Sequence, residues 1–187
     1  SARDFVLGVR MVNGLGEDLH FGGQVMKNVA GYDLSRLLTG SFGTLGLITE
    51  VSIKVLPLPR AESTLRFALD EAAAIESMNK WAAKPLSLSA TCHVDGALHV
   101  RLSGAAAAVA ASRKKLGGDL VEDGAGFWQS IREQTHPLFR NAPALWRFSI
   151  KPTAPPLGRG QQLIEWNGGL RWIAADLDPS IAFDIAH

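Results

Sequence analysis

The sequence predicts an α+β fold built on antiparallel sheet. Three observations carry that expectation. From residue 61 onward the patterns run strand, helix, strand, strand, helix and then the short extended stretch "DLVED", which is the order of a ferredoxin-like unit. Elsewhere, short period-two stretches are joined through turn residues and read as hairpins. Pro57 and Pro59 stop a strand and mark a boundary near residue 60, so two units are expected, 1–60 and 61–187.

Within the first unit, Phe5, Leu7, Val9 and Met11 share one parity, the spacing of a strand with one buried face. "NGLGED" (13–18) tolerates positive φ and "LHF" resumes the extended pattern, so a hairpin is expected there. "FGGQVMKNVAGY" has no usable periodicity and reads as a loop. Asp33 is a favourable N-cap, Leu34, Leu37 and Leu38 share a helical face, and Gly40 can close the helix. From Leu47 the period returns to two. Leu47, Val51, Ile53 and Val55, with Thr49 among them, are expected to face the core, while Glu50, Ser52 and Lys54 face away. Ile48 falls on the polar side, beside the preceding glycines.

In the second unit "STLRFAL" (63–69) alternates as a strand. Asp70 then caps a helix whose Ala74, Ile75, Met78, Trp81 and Ala82 form an apolar stripe that stops before Pro85. "LSLSATCHV" and "ALHVRLS" make a hairpin about Asp95-Gly96. "GAAAAVAASRKKLGG" is helical, alanine-rich, basic in its last turn, with Gly117 just past its end. A helix around "GFWQSIREQTH" follows, with Phe127, Trp128 and Ile131 as its core stripe. Then come the strand "ALWRFSI", a proline-rich loop, and a hairpin "QQLIEWNGGLRWIAAD" turning at Gly168-Gly169.

Composition narrows the function classes. Of 187 residues 47% are hydrophobic and 20% charged, an ordinary globular balance. The net charge of +1 gives no support for a nucleic-acid partner. One cysteine, Cys92, excludes an internal disulfide and an iron–sulfur cluster held by this chain alone. No apolar run reaches the length of a membrane-spanning helix, and "SARDFVLGVRMV" does not read as a signal peptide. Both ends read as cuts, so a piece of a longer protein is expected. His20, His93, His99 and Cys92 do not have metal-ligand spacing, no metal site is expected, and no nucleophile elbow occurs.

"GYDLSRLLTGSFGTLGLITEVSIKVLP" (31–57) places Gly40, Gly43 and Gly46 three residues apart between a helix and a strand. That context is the reverse of a Rossmann fingerprint, and no phosphate-binding GxxxxGK[ST] loop occurs. The plain structural reading is a tight connection in which Gly40 caps and the other two relieve strain. The alternative is a backbone that must lie close to something other than protein.

The wider stretch "KNVAGYDLSRLLTGSFGTLGLITEVSIKVLPLP" resembles the second half of the flavin-binding domain of the vanillyl-alcohol-oxidase, or PCMH-type, FAD-linked oxidases. Within that superfamily the chain resembles most the E-subunit (FAD-binding subunit) family of bacterial glycolate oxidases, strongly before residue 60 and more loosely after it. The carrying signature is "K-N-x-x-G-Y-D-L" followed by "G-S-x-G-T-L-G-L-I-T"; "RDFVLGVRMVNGLGEDLHFGG" and the late "QLIEWNGGLRWI" hairpin add to it.

The resemblance implies the second part of a PCMH-type FAD-binding domain followed by a ferredoxin-like cap domain that takes the substrate. It implies FAD along the loop, touching Lys27, Asn28, Ser41, Phe42, Gly43, Thr44, Gly46 and Ile48, with Phe42 standing where the family often has glutamate. Lys27 and Asn28 also read plainly as a solvated lysine and a turn asparagine. The family's pyrophosphate-binding loop lies upstream of "RDFVLG", so half of the cofactor site is expected to be absent from this chain and FAD binding by it to be weak. Arg132 of "FWQSIREQTH" matches an arginine that grips the substrate carboxylate, although it could equally pair with Glu133. His136 could accept a proton or serve structurally. In "ALWRFSI" the family's lysine and acid are replaced by Leu145 and Arg147, which leaves open whether Arg147 restores the charge or the site has degenerated.

By resemblance the activity is oxidation of glycolate to glyoxylate within a complex containing a sister flavin subunit and an iron–sulfur subunit. The implied location is the cytoplasm, or the inner face of the cytoplasmic membrane through those partners. A non-catalytic assembly subunit, or a dehydrogenase of D-lactate or another 2-hydroxy acid, are the alternatives.

Overall fold

Two sheets organise the chain, one in each of the two units into which it divides between Leu58 and Pro59. The structure, a computed structural model, describes residues 2–23, 32–180 and 185. Each unit is α+β with antiparallel strand pairing.

In the first unit β1 (Val6–Val12) is the centre of a three-stranded sheet, flanked by β2 (Asp18–Gly22) and by β3 (Leu47–Ile53), with helix α1 (Leu34–Leu38) before β3. Asn13 shapes the β1–β2 turn, because its Oδ1 accepts from the N–H groups of Leu15 and Glu17. Arg10 pairs with Asp18 across the polar face and holds that carboxyl below the usual range. Asp33 caps α1 by accepting from the Arg36 N–H. The helix buries Ser35 and Leu38, not Leu37, which is 59% exposed. The expected face of Leu34, Leu37 and Leu38 is therefore rotated: Ser35 Oγ donates to the Phe21 carbonyl at 3.1 Å, and that bond sets which side of so short a helix faces β2.

Two sequence expectations about β3 are corrected by its register. Arg10 pairs with Glu50 but Met11 pairs with Ile48, so Thr49 is an extra, bulged residue whose hydroxyl donates to the Arg10 carbonyl. The bulge flips the parity before it. Ile48 lies opposite Met11, on the same side as Val51 opposite Val9, and Leu47 moves to the other side opposite Val12. Nor is the predicted core row buried: Leu47, Ile53 and Val55 are 67%, 57% and 84% exposed. β3 is an edge strand, and α1 covers only the centre of the sheet, over Val9 and Met11.

The second unit follows the predicted ferredoxin-like order. Strand β4 (Ala61–Ala68), helix α2 (Glu71–Ala82), strands β5 (Leu88–Val94) and β6 (Ala97–Gly104), helix α3 (Ala106–Leu116) and strand β7 (Asp119–Leu120) form the sheet order β7-β4-β6-β5, all antiparallel. The rest of the chain extends that same sheet. After α4 (Gly124–Arg132) and α5 (Pro137–Arg140), strands β8 (Leu145–Ser149), β9 (Gln161–Glu165) and β10 (Leu170–Ala174) add on through β9 against β5, giving seven strands in all.

Both faces of this sheet are packed. Helices α2 and α3 set Ala74, Ile75, Met78 and Val109 against Leu65, Leu98, Val100 and Leu102. On the opposite face α4 and α5 bring Ile131 and Leu138 to Cys92, Val94 and Leu163. Two aromatic contacts seat α4: Trp128 Nε1 donates to Thr64 Oγ1 at 2.9 Å, and Phe127 stacks on His99 with ring centroids 4.0 Å apart.

Candidate functional site

The glycine loop between α1 and β3 is exposed, and its backbone is left-handed at three consecutive landmarks: Gly40 at φ 85°, Phe42 at 54° and Gly43 at 77°. Phe42, 98% exposed, holds that conformation without a glycine's freedom. The turn is closed from within, since the Thr44 N–H and Oγ1 both donate to the Ser41 carbonyl. The N–H groups of Phe42 and Gly43, in this exposed turn, meet no acceptor among the described residues. Such a donor set suits an anionic or carbonyl-bearing group lying along the loop.

The glycines are not equivalent. A Cβ at Gly43 would meet nothing within 4 Å, so its requirement is the positive φ alone. A Cβ at Gly46 would lie 2.6 Å from the Val12 carbonyl oxygen and closer still to Met11 Cε, at a φ of 148°. The sequence reading has a ligand approaching at Gly46; the structure has strand β1 there, and the absence of a side chain serves the sheet. Ile48 likewise is tied to the β1 side by the Thr49 bulge and is 39% exposed. Lys27 and Asn28 lie outside the described residues.

In the second unit a broad cleft of about 1260 Å³ opens beside the sheet, with Arg101, Trp128, Arg132, Arg147, Glu165 and Trp172 in its lining. Strand alternation explains the set: Arg147 pairs with Trp172, and Cys92 pairs with both His99 and Glu165, so these residues share the α4 face. The cleft thus brings together Arg132 and Arg147, two of the three catalytic candidates in the sequence. They are held differently. Arg132 is exposed and pairs with Glu133 at 2.8 Å. Arg147 pairs with no carboxylate among the described residues; its guanidinium stacks 5.6 Å from the Trp172 ring and 6.0 Å from Trp166. His136 does not line the cleft. Its Nδ1 accepts from the Leu138 N–H as the cap of α5, and its Nε2 lies 3.7 Å from Asp95.

Sequence reading missed Glu165, Arg101, Trp166 and Trp172. The signal was present for Glu165, an acid on the same parity as Leu163 in a strand that otherwise reads as core. Burial pushes its carboxyl pKa up, against the opposing pull of the Trp172 N–H bond and Arg147. Arg101 lies 5.5 Å over the Trp128 ring and donates to Ser89. Cys92 is fully buried and its thiol is pushed well up, first by burial, so it is no nucleophile. Among the described residues no group of His, Cys, Asp or Glu could hold a metal ion, and no helix is long and apolar enough to cross a membrane.

Comparison with known proteins places this geometry. No family model matches the chain. The glycolate oxidase subunit GlcE of Escherichia coli (strain K12) is 48% identical over 189 aligned positions, which cover the whole of this chain and 53% of that protein. The similarity to GlcE runs along the whole of this chain. It spans about half the length of that relative. The glycolate oxidase subunit GlcD of Bacillus subtilis (strain 168) is 48% identical over 63 residues, 34% of this chain and 13% of GlcD. Among solved structures, an alkyldihydroxyacetonephosphate synthase matches 91% of this chain and 45% of its own, with a TM-score of 0.53 at 13% identity, a likeness of fold.

Proposed function

We propose that the chain is part of the FAD-binding subunit of a glycolate oxidase complex, oxidising glycolate to glyoxylate. The observation that carries this is the GlcE match along the entire chain. In this reading residues 1–60 are the C-terminal portion of the FAD-binding domain and 61–187 the substrate-cap domain. The exposed turn from Ser41 to Thr44 supplies the free N–H donors of Phe42 and Gly43 to FAD, with Lys27 and Asn28 contributing from the preceding segment. Flavin, when bound, supplies the hydride acceptor. The protein's own part is to bind and orient. Arg147, stacked near two indoles and unpaired with a carboxylate among the described residues, grips the substrate carboxylate as a planar fork, and Arg132 assists once released from Glu133.

The pyrophosphate half of the cofactor site is proposed to lie outside these residues, so the 187-residue chain binds free FAD weakly; submicromolar affinity in a titration overturns that part. The names GlcE and GlcD are each those of a glycolate oxidase subunit, which supports a complex of several subunits; a sister flavin subunit and an iron–sulfur subunit complete the one proposed, in the cytoplasm or against the inner membrane face through those partners. The Arg132–Glu133 pair and Leu145 favour a second reading, an assembly subunit whose substrate site has degenerated. Arg147→Ala in the full complex separates the two. A loss of at least about tenfold in kcat/KM, roughly 1.4 kcal/mol of transition-state binding, is expected for a working site. An unchanged rate supports the assembly role.

A further inference from the structure

Arg147 and Glu165 stand on the same face of the second unit's sheet, on strands that flank β10. Trp172 of β10 is the register partner of Arg147 on β8 and of Leu163 on β9, so its ring lies between the two charged side chains. Across two strand spacings the backbones are about 10 Å apart, a gap that a long arginine and a glutamate can close by pairing directly. They do not close it: no ion pair joins them. Trp172 keeps them apart, stacking under the guanidinium and donating its Nε1–H to Glu165 Oε2 at 2.9 Å. Glu165 Oε1 accepts no bond from the described residues and is not sealed from solvent, which leaves it open to the cleft.

The neighbouring turn is built to hold this wall. Trp166 sits at φ 50° and Asn167 at 56°, a backbone that a bulky residue keeps only when its surroundings over-determine it. They do: the Asn167 N–H donates to Thr91 Oγ1 at 3.0 Å, Thr91 Oγ1 donates to Asn167 Oδ1 at 3.1 Å, and Asn79 Nδ2 donates to the Asn167 carbonyl at 3.1 Å. Arg171, wholly buried, donates its Nε–H to the Gly168 carbonyl at 2.7 Å. The product of this clamp is an indole 69% exposed, set beside Arg147.

We infer that Glu165 reads the 2-hydroxyl of a small carboxylic acid whose carboxylate is held by Arg147, so that the cleft selects 2-hydroxy acids over unsubstituted ones. A 2-hydroxy carboxylate carries an anionic acceptor and a hydroxyl donor on adjacent carbons, and the wall offers a guanidinium fork and a carboxylate oxygen in matching order. A carboxylate accepting a hydroxyl proton is a strong discriminator, because a ligand without the hydroxyl leaves that anion facing another anion. The inference rests on the cleft being the substrate site, and it adds which group confers specificity.

The test uses quenching of tryptophan fluorescence, with glycolate and acetate as the two probes, on the chain and on Glu165→Gln and Arg147→Gln. The unmodified chain is expected to bind glycolate about tenfold more tightly than acetate. Glu165→Gln should weaken glycolate and strengthen acetate, since the repelling charge is gone; a merely structural glutamate would move both the same way. Arg147→Gln should weaken both. If Glu165→Gln proves unfolded in a thermal melt, Glu165→Asp replaces it, and the preference should fall while acetate binding holds. A preference for glycolate that survives both substitutions overturns the role of Glu165 and leaves the site standing. Failure of glycolate to bind the unmodified chain, or binding indifferent to Arg147, removes the site and the inference together.

Discussion

The two units cover their apolar side chains to very different degrees. In the second, helices pack both faces of the seven-stranded sheet, and Met78, Leu98, Val100, Leu102, Leu163 and Ile173 are wholly buried. In the first, among the described residues, only Val9, Met11 and Leu38 form a buried apolar cluster, while Leu47, Val51, Ile53 and Val55 of the edge strand and its extension stay exposed. Composition does not explain this, since β3 is as apolar as the buried β9. Layers do: a helix of five residues is about 7.5 Å long and a strand of seven about 23 Å, so α1 cannot roof its sheet. The chain therefore concentrates its stability in the second unit, and the first keeps an open loop and sheet edge where the flavin contacts are proposed. Natural probes separate the two. All five tryptophans lie in the second unit and the single tyrosine, Tyr32, in the first.

The largest expected effect is in the second core. Met78→Ala should lower the stability reported by tryptophan fluorescence in guanidinium by about 4 kcal/mol, because the side chain is 0% exposed and its cavity has no room to collapse between α2 and the sheet. Val51→Ala in the first unit, at 39% exposure, should move amide-exchange protection of β1 and β3 by no more than about 0.5 kcal/mol. Equal effects at the two positions would break the comparison.

Gly46→Ala comes next and sharpens it from the other side. Here the first unit is tight, with backbone of β1 within 2.6 Å of the added carbon, and a loss of about 3 kcal/mol is expected. It should show as lost exchange protection in β1 and β3 with the tryptophan transition unmoved. Gly43→Ala meets open space and should lose only the cost of a left-handed alanine, about 1 kcal/mol.

Much of the fold was legible because local patterns and sheet pairing agree. Asp70, Asp33 and Gly117 cap helices as their types suggest, and the strand-helix-strand-strand-helix order of the second unit gives the observed β7-β4-β6-β5 sheet. The misreadings share one cause, which is that partners outside the local window decide. Parity placed Ile48 on the polar side, but a single bulge at Thr49, visible only in the pairing with β1, reverses it. The spacing of three glycines suggested one purpose, whereas Gly46 answers to Val12 and Gly43 to its own φ. For the candidate site, Arg132 and Arg147 were found by likeness to a family pattern, yet what distinguishes them, an ion pair for one and two indoles for the other, exists only in three dimensions. Glu165 escaped notice because the β5–β9 pairing that puts it on the α4 face joins residues more than 70 positions apart.

A further effect is an acid sensitivity confined to the second unit. His99 is stacked on Phe127 with its Nδ1 unpartnered, and burial, reinforced by Arg66, His136 and His93, pushes its pKa down from 6.5 to about 4. A base with a lowered pKa in the fold is neutral there while the unfolded chain still binds a proton. Between pH 6.5 and 4 the unfolded state therefore holds more protons, and stability falls as pH falls through that window. With the imidazole's partial exposure discounted, the loss should be on the order of 1 kcal/mol. His99→Phe keeps a ring against Phe127 and removes the titration, so its tryptophan-monitored stability should change less between pH 7 and pH 5 than that of the unmodified chain. His99 and the groups that depress its pKa all lie in the second unit, so amide-exchange protection in β1–β3 serves as the comparison. A slope that persists in His99→Phe would assign the sensitivity to another group and remove this distinction between the units.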